Sequence, residues 1–418
     1  MPSSSHAVKP ARRVSRWSKF WMVLGLFCWA GLGLWFAFPP PQAFVEGFYT
    51  RFVYRVIVAG VAPLTNSADF SVALALTIAL VAGFPLLWTL NWLYLRFVKG
   101  RSHWRGLFWG FQWAFFLTPI IAIWFLVFWG AGYQRLAPEE RLKLDTSAIS
   151  DEESALLRGQ LLETILNDQP QAPEDRDANR ALAAVAAAMK TTIKEWDGHS
   201  LWLPDGVKAT PEGLLLANGT SGICTPFTLE PHVDGGLPDT AFVSTGAHEL
   251  GHIAGMCTEA EATLIGFVSG VRAADPYARY AVALDMYMDL VRQLPGDAMK
   301  SAMERLPEIA REDLKKAREA AARYRIEWLQ KASWRAYDKY LQAQGIKEGV
   351  KNYGRGISLF LFLWRDGRLA DTGLTPPVPA LPEPAEGAAP SPPEAGPSLN
   401  SPAQPVPEAA ASPDAPET

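Results

Sequence analysis

The segment Thr245–Ala262 contains the residues whose types and spacing best suit catalysis. It reads TGAHELGHIAGMCTEAEA and holds two of the six histidines, His248 and His252, with Glu249 between them. Residues four positions apart project from the same face of an α-helix, so both imidazoles can bind one zinc ion. Zinc lowers the pKa of a bound water molecule, and Glu249 is placed to act as the general base. The pattern indicates metal-assisted hydrolysis of a peptide bond.

A hydrolytic zinc site requires a third protein ligand and an open fourth position. Gly255 permits a sharp turn after the second histidine, and two carboxylates, Glu259 and Glu261, follow that turn. They lie about 200° apart around a helix, so only one of them can face the ion. Glu259 has a slight advantage, although a carboxylate at the start of a helix is also a common capping group. His232 is a spare candidate.

The transition state also needs a hydrogen-bond donor for its developing oxyanion. Tyr353 and Arg355, in the stretch KNYGRG, are the first candidates, and Tyr337 and Tyr340 are further ones. The alternative is a structural role for these residues, as aromatic and salt-bridge groups of a helical region.

Three apolar runs precede the histidine segment, at about residues 20–38, 71–98 and 107–131. Each is long enough to cross about 30 Å of hydrocarbon. Core helices of a soluble protein are the alternative, but uncharged runs of this length disfavour it. We therefore expect three transmembrane helices and contact with a lipid bilayer.

Basic residues indicate the orientation of these spans. Lysines and arginines are concentrated before the first span and between the second and third, whereas Arg51 and Arg55 are opposed by Glu46 and Asp69 in the remaining connection. The positive-inside rule places both basic segments in the cytoplasm and the chain after the third span outside. The expected organisation is a cytoplasmic N-terminus (1–19), a transmembrane region (20–132), an extracytoplasmic domain (133–370) and a tail (371–418).

Patterning along the outer segments predicts a mainly α domain with a small sheet (α+β) beside the histidine helix. Residues 42–62 suit a helix lying at the membrane surface. Residues 179–197 predict a helix, and 259–364 are mostly helical. Residues 206–233 contain short β-prone runs, with Asn218-Gly219 as a hairpin turn. A strand within 213–229 is expected to be the edge along which a peptide substrate lies.

Composition limits the remaining function classes. The net charge of −4 does not favour nucleic-acid binding. From Gly373 onward, 14 of 46 residues are proline, which predicts a disordered tail, either passive or a docking segment for a partner. Cys224 and Cys257 are either joined by a disulfide or present as separate buried thiols.

Taken together, these segments resemble a bacterial family of multi-span membrane proteins, domain of unknown function 3810, predicted to be HExxH metallopeptidases. The resemblance covers about residues 20–365 and includes FVEGFYTRFVYRVI, FWGAGYQRLAPEERLKL, SGICTPFTLEPHV, AHELGHIAGMCTEAEATLIGF, DPYARY and AYDKYLQAQGIKEGVKNYGRGISLFL. It implies a zincin-like domain and a bacterial inner-membrane location. A similarity to membrane peptidases with a later E-x-E-A segment implies that Glu259 is the third ligand. Many of those peptidases have Asp where Thr263 stands here.

The sequence thus predicts a membrane-anchored zinc peptidase that cleaves a peptide or protein of the cell envelope. A non-catalytic envelope scaffold, with a structural metal or none, is the alternative. A fourth protein ligand such as His232 or Cys257 would favour it. An intramembrane protease is a third hypothesis, but the histidine segment is short and flanked by polar residues.

Overall fold

The computed structural model describes residues 16–100 and 102–377. The extreme N-terminus and residues 378–418 of the predicted tail lie outside this part of the chain. The described residues form two compact units. The first unit runs to Arg135 and also includes Cys224–Glu230, and the second comprises Leu136–Ile223 and the chain from Pro231 onward.

The first unit is helical. Its α-helices are α1 (Arg16–Ala37), α2 (Gln42–Phe44), α3 (Arg55–Asn66), α4 (Val72–Ile78), α5 (Phe84–Leu93) and α6 (His103–Phe128). π-helical segments join these helices into longer ones: Val45–Tyr54 connects α2 to α3, Ala79–Gly83 connects α4 to α5, and Tyr94–Val98 extends α5. Three stretches, Phe20–Ala37, Val72–Val98 and Gly106–Phe128, are long and apolar enough to cross a membrane. The three predicted apolar helices are therefore present.

The segment between the first two apolar helices is helical from Gln42 to Asn66. One face is buried and includes Tyr49, Tyr54 and Val58, whereas Phe48 and Phe52 on another face are exposed and in ring contact. The segment is therefore a helix, as its aromatic and aliphatic stripe predicts, and it carries apolar side chains on an exposed face as well as on the buried one.

A short segment far along the sequence, Cys224–Glu230, belongs to the first unit. Thr65 and Asn66 donate hydrogen bonds to the carbonyls of Thr228 and Leu229, at 2.7 and 2.9 Å. The Glu230 carboxylate accepts the first backbone N–H groups of α4, at 3.0 and 2.7 Å. Because Phe227 also contacts Trp124 near the end of α6, the start of the second apolar helix and the end of the third lie at the same end of this unit.

The second unit holds the remaining helices. They are α7 (Pro138–Leu142), α8 (Asp151–Asp168), α9 (Ala178–Asp197), α10 (Asp239–Ile253), α11 (Glu259–Val271), α12 (Pro276–Val291), α13 (Gly296–Glu304), α14 (Glu308–Tyr324), α15 (Glu327–Ala343) and α16 (Arg355–Arg365). Asp275 caps α12 through its side chain and Pro307 precedes α14, which explains why the predicted helical stretch is broken at Asp275-Pro276 and Leu306-Pro307.

A small sheet contains β1 (Lys208–Thr210), β2 (Gly222–Thr225) and β3 (Glu230–Asp234) in the order β1-β3-β2. β1 and β3 are parallel, with Lys208 opposite His232. The prediction of a hairpin turn at Asn218-Gly219 is wrong. These residues end a 3₁₀ turn whose preceding N–H groups are held by the buried Asp234 carboxylate, and Gly219 is left-handed (φ 80°).

Close packing of α10 against α11 positions the candidate site. A Cβ at Gly251 would lie 2.8 Å from the carbonyl oxygen of Ala262, and one at Gly266 would lie 3.1 Å from that of Ala247. The two glycines therefore let the helix backbones approach more closely than larger residues would permit. Every residue of α11 is buried.

Candidate metal centre

Helix α10 carries both histidines and the glutamate between them. It ends at Ile253, where Gly255 adopts a left-handed conformation (φ 86°) and the N–H of Met256 donates to the Gly251 carbonyl. This turn sends the chain directly into α11, whose first residue is Glu259. A glycine-terminated helix followed at once by a second helix thus returns a carboxylate to the two imidazoles.

The three side chains His248, His252 and Glu259 converge. The atoms that could bind a metal ion all lie within 4.8 Å of one another. Among the His, Cys, Asp and Glu side chains in the described part of the chain, these three form the group that could hold a metal ion. The Oε2 atom of Glu259 is 3.1 Å from Nε2 of His248 and 3.6 Å from Nε2 of His252. Two imidazole nitrogens and one carboxylate oxygen are ligands that zinc prefers, so this donor set fits the ion.

The other nitrogen of each imidazole is also engaged. Nδ1 of His252 donates to the carbonyl of Met256 at 2.8 Å, and Nδ1 of His248 lies 3.1 Å from the hydroxyl of Thr263. Such contacts orient the rings and leave Nε2 of each as the nitrogen available to a metal ion. The Thr263 hydroxyl is thus the group that contacts the second nitrogen of the His248 ring.

Glu261 lies in a different environment. Its carboxylate accepts hydrogen bonds from Arg141 at 2.9 Å and from the Thr258 hydroxyl at 2.9 Å, while its own N–H donates to that hydroxyl. This is a capping arrangement at the start of α11, stabilised by a buried ion pair. Of the two carboxylates considered from the sequence, the structure groups Glu259 with the histidines.

The ionisation of the cluster reflects this proximity. Burial disfavours a charge on His252, but the hydrogen bond and negative charge of Glu259 outweigh it and raise the pKa of His252 to about 9. Burial likewise opposes ionisation of Glu259, yet its contacts with both histidines hold the pKa of its carboxyl well below the usual value. The contact between the Glu259 carboxylate and the imidazoles is therefore the common cause that opposes burial in both shifts.

Glu249 is buried beside the first residue of β2. A Cβ at Gly222 would lie 2.6 Å from Oε1 of Glu249 and 2.8 Å from Cγ2 of Thr245. Any larger residue at position 222 would therefore displace the glutamate. This contact joins residues 27 positions apart (249 − 222), and no local pattern in the sequence indicates it.

A family model described as "Protein of unknown function (DUF3810)" matches residues 49–361. The chain belongs to this family. The match includes the second and third apolar helices and all four residues His248, Glu249, His252 and Glu259. No curated protein and no solved structure matches the chain.

The region of this DUF3810 chain that was expected to supply an oxyanion donor lies close to the start of α11. The N–H of Ala260 donates to the side-chain oxygen of Asn352 at 3.0 Å. The Arg355 guanidinium is hydrogen bonded to the Glu139 carboxylate. The side chain of Tyr353 lies outside the described residues. A tyrosine from the preceding helix, Tyr337, donates a hydrogen bond to Oε1 of Glu259.

The remaining candidates lie outside this group. His232 is buried on β3, in register with Lys208 of β1. Cys224 and Cys257 are both present as buried thiols, so the described residues contain no disulfide between them. His232 and Cys257 are not members of the cluster that could hold a metal.

Helix α12 adds two carboxyl groups that the sequence did not single out. Burial raises the pKa of Asp285, and the charge of Arg292, followed by a smaller contribution from His248, opposes that rise. Burial and the neighbouring Asp285 raise the pKa of Asp289 to about 7, although Asp289 also pairs with Arg292 at 2.6 Å. A four-residue spacing on one helix face is their only signal in the sequence.

Proposed function

We propose that this chain is a membrane-anchored, zinc-dependent peptidase. The observation that carries the proposal is the convergence of both Nε2 atoms of His248 and His252 on Oε2 of Glu259, with Glu249 on the same helix. Three protein ligands and a nearby carboxylate outside the ligand set are what metal-assisted hydrolysis requires, because a position must remain open for the substrate.

When bound, zinc would polarise the scissile carbonyl and make water more acidic. Glu249 accepts a proton from the attacking water and delivers it to the leaving amine, so that it ends the cycle ionised as it began. Thr263 and the Met256 carbonyl hold the two rings in place. The absence of a side chain at Gly222 leaves room for the Glu249 carboxylate.

The start of β2 is suited to bind an extended peptide. β2 is an outer strand of the sheet, Gly222 lies against Glu249, and the side chain of Ile223 is 44% exposed. A peptide added along Gly222 and Ile223 would bring a carbonyl close to the proposed base through main-chain hydrogen bonds. A bound peptide inhibitor that makes no contact with these residues would contradict this part of the proposal.

We place the enzyme in the bacterial inner membrane with the second unit outside the cytoplasm. The distribution of lysine and arginine around the apolar helices supports this orientation. The second apolar helix starts at the same end of the first unit at which the third one ends. This supports spans that cross the membrane in alternating directions. The partners are then the lipid bilayer and a peptide or protein of the cell envelope, with the Pro-rich tail as a docking segment.

The competing function is a non-catalytic envelope scaffold with a structural metal or none. A closed, four-ligand site would favour it. The cluster of three side chains, with His232 and Cys257 outside it, favours the peptidase.

The deciding experiment measures zinc in the full-length, detergent-purified protein by mass spectrometry. We expect about one zinc per chain in the unmutated protein. Glu259→Ala should lose the metal, whereas Glu261→Ala, which removes a carboxylate two residues away, should keep it. If neither the unmutated protein nor any variant contains zinc, even after zinc is supplied, the peptidase proposal is wrong.

Activity is then tested on casein and on a peptide library. Glu249→Gln should keep its zinc and lose cleavage, since an amide cannot accept the proton. Equal cleavage by this variant and by the unmutated protein would remove Glu249 from the mechanism.

A further inference from the structure

Helix α15 brings a tyrosine to the edge of the candidate metal centre. The Tyr337 hydroxyl donates to Oε1 of Glu259, the carboxylate oxygen that does not face the histidines. Tyr337 and Glu259 are 78 residues apart, so tertiary packing alone creates this contact.

The tyrosine ring is held by its neighbours on the same helix. It stacks on Tyr340, with ring centres 5.7 Å apart, and meets Trp334 edge-on at 6.5 Å. The next residue, Asp338, accepts the N–H of Val350 at 3.0 Å and thereby ties α15 to the turn before α16. The hydroxyl is thus directed at the site by a defined helix and not by a loop.

Neither Tyr337 nor the cluster is sealed from solvent. Its side chain is partly exposed, and among the metal-ligand candidates His248 is the most exposed, at 19%, against 8% for His252 and 4% for Glu259. The edge of the cluster at His248 is therefore the part most open to solvent.

The other groups beside the cluster have fixed tasks. Thr263 and the Met256 carbonyl contact the histidine rings, and Glu261 is bound to Arg141. The Arg355 guanidinium is paired with Glu139. Among these groups, Tyr337 is the one that contacts the Glu259 carboxylate from a partly exposed residue.

We propose that Tyr337 is a catalytic residue that donates a hydrogen bond to the scissile carbonyl oxygen as this oxygen becomes negative. The proposal rests on the proposed function. A cation held by Glu259 would weaken that carboxylate as an acceptor, and the Tyr337 hydroxyl would then be able to donate to the oxyanion instead.

The step balances without consuming the tyrosine. The oxygen of water bonds to the carbonyl carbon, the C–N bond breaks, and the proton moves from water through Glu249 to the leaving nitrogen. Tyr337 keeps its own proton throughout and contributes only the hydrogen bond.

The test compares Tyr337→Phe with Tyr324→Phe in the zinc-loaded, full-length protein in detergent. Tyr324 is a matched control because its hydroxyl also donates to a glutamate carboxylate, that of Glu212 at 3.0 Å, on the neighbouring helix α14. The probe is a phosphinic dipeptide with alanine side chains, whose tetrahedral anion resembles the transition state. Its dissociation constant, zinc affinity against a chelator, and kcat on a cleaved peptide are measured.

Tyr337→Phe should bind the phosphinic dipeptide about 10–100-fold more weakly and lower kcat about 100-fold. Its zinc affinity should stay within about threefold, and Tyr324→Phe should match the unmutated protein in all three measurements.

Three results would overturn the assignment while leaving the peptidase proposal intact. One is an unmutated protein that holds zinc but does not bind the probe. Another is equal probe affinity in Tyr337→Phe. The third is a loss of zinc affinity in that variant that accounts for its other defects, because Tyr337 would then only position Glu259. Absence of zinc from the unmutated protein would instead overturn the proposed function itself.

Discussion

The helix pair α10–α11 and the helix α15 contribute to the same site but are packed very differently. Every residue of α11 is buried, as is most of the C-terminal half of α10. In α15, Leu341 is the residue described as buried, and Trp328 is 71% exposed. The proposed ligands thus come from the tightly packed region and the proposed oxyanion donor from a loosely packed one.

This difference matches two different requirements. Metal ligands must hold fixed distances before the ion arrives, and dense packing provides that preorganisation. A donor that exchanges Glu259 for a substrate oxygen must shift slightly, and a helix with few buried apolar contacts can do so at lower free-energy cost. We expect perturbations of the first region to abolish the site and those of the second to tune it.

Gly251→Val should have the largest effect on stability. The new Cβ would meet the carbonyl oxygen of Ala262 at 2.8 Å, and a backbone atom cannot rotate out of the way. We expect the free energy of unfolding to fall by about 3 kcal/mol or more, together with loss of zinc. Thermal unfolding in detergent, followed by tryptophan fluorescence, measures it.

Gly354→Ala is the matched control, since a Cβ at this position would meet no atom within 4 Å beyond its chain neighbours and the backbone φ is −65°. Its unfolding free energy should change by less than about 0.5 kcal/mol. Similar losses in both variants would mean that α10 and α11 are not packed as closely as described.

Asp313→Ala should have the next largest effect, because it removes the buried hydrogen bonds that hold α14, the helix before α15, to its neighbours. The buried carboxylate accepts hydrogen bonds from Arg176 and Thr240, each at 3.1 Å, and from Tyr280 at 2.9 Å. Removing it leaves a largely buried guanidinium without its counter-charge, which should cost about 3 kcal/mol.

Unfolding midpoints test this against Asp205→Ala, which removes the partner of Lys190 from an exposed ion pair of 2.9 Å and should cost less than about 1 kcal/mol. If Asp313→Ala were no more harmful than Asp205→Ala, the buried network would not hold α14.

The contrast between the two regions also explains what could be predicted from sequence. Helix periodicity and the His248–His252 spacing are local patterns, so they indicated that both histidines lie on one face of α10. Together with Gly255, they also indicated that a carboxylate after the turn comes back to the histidines. The three apolar helices follow from run length alone. Choosing Glu259 over Glu261 on residues alone was nearly even, because the hydrogen bond from Arg141 to Glu261 spans 120 residues.

The contacts that sequence reasoning missed are long-range ones. The contact of Tyr337 with Glu259 and the contact of Gly222 with Glu249 each join two separate segments, so no periodic pattern includes both partners. The placement of Cys224–Glu230 in the first unit depends on Thr65, Asn66 and the start of α4. Turn chemistry at Asn218-Gly219 suggested a hairpin, but the Asp234 carboxylate stabilises a 3₁₀ turn there instead.

Thr263→Val should weaken the metal site without disturbing the packed helices. Valine is nearly the same size as threonine but lacks the hydroxyl that lies 3.1 Å from Nδ1 of His248. We expect zinc affinity to fall by about 10–100-fold, because the ring loses the group that orients it. Chelator competition measures this loss.

Thr263→Ser keeps the hydroxyl and should retain most of the affinity. If serine and valine weakened zinc binding equally, the methyl group and not the hydroxyl would support His248.

The smallest predicted effect is on the motion of α15. The residue before this helix, Ile326, provides no side-chain cap, and it is 42% exposed. Ile326→Ser supplies a hydroxyl acceptor for the first N–H groups and should stabilise α15 by about 0.5–1 kcal/mol. Hydrogen exchange followed by mass spectrometry should then show about two- to fivefold slower exchange in α15 and no change in α10 or α11.

Ile326→Ala removes the same apolar surface without adding an acceptor, so it should not slow exchange. Equal slowing in α11 would show that α15 opens only together with the ligand helices, and the proposed division between a fixed ligand set and a movable donor would fail.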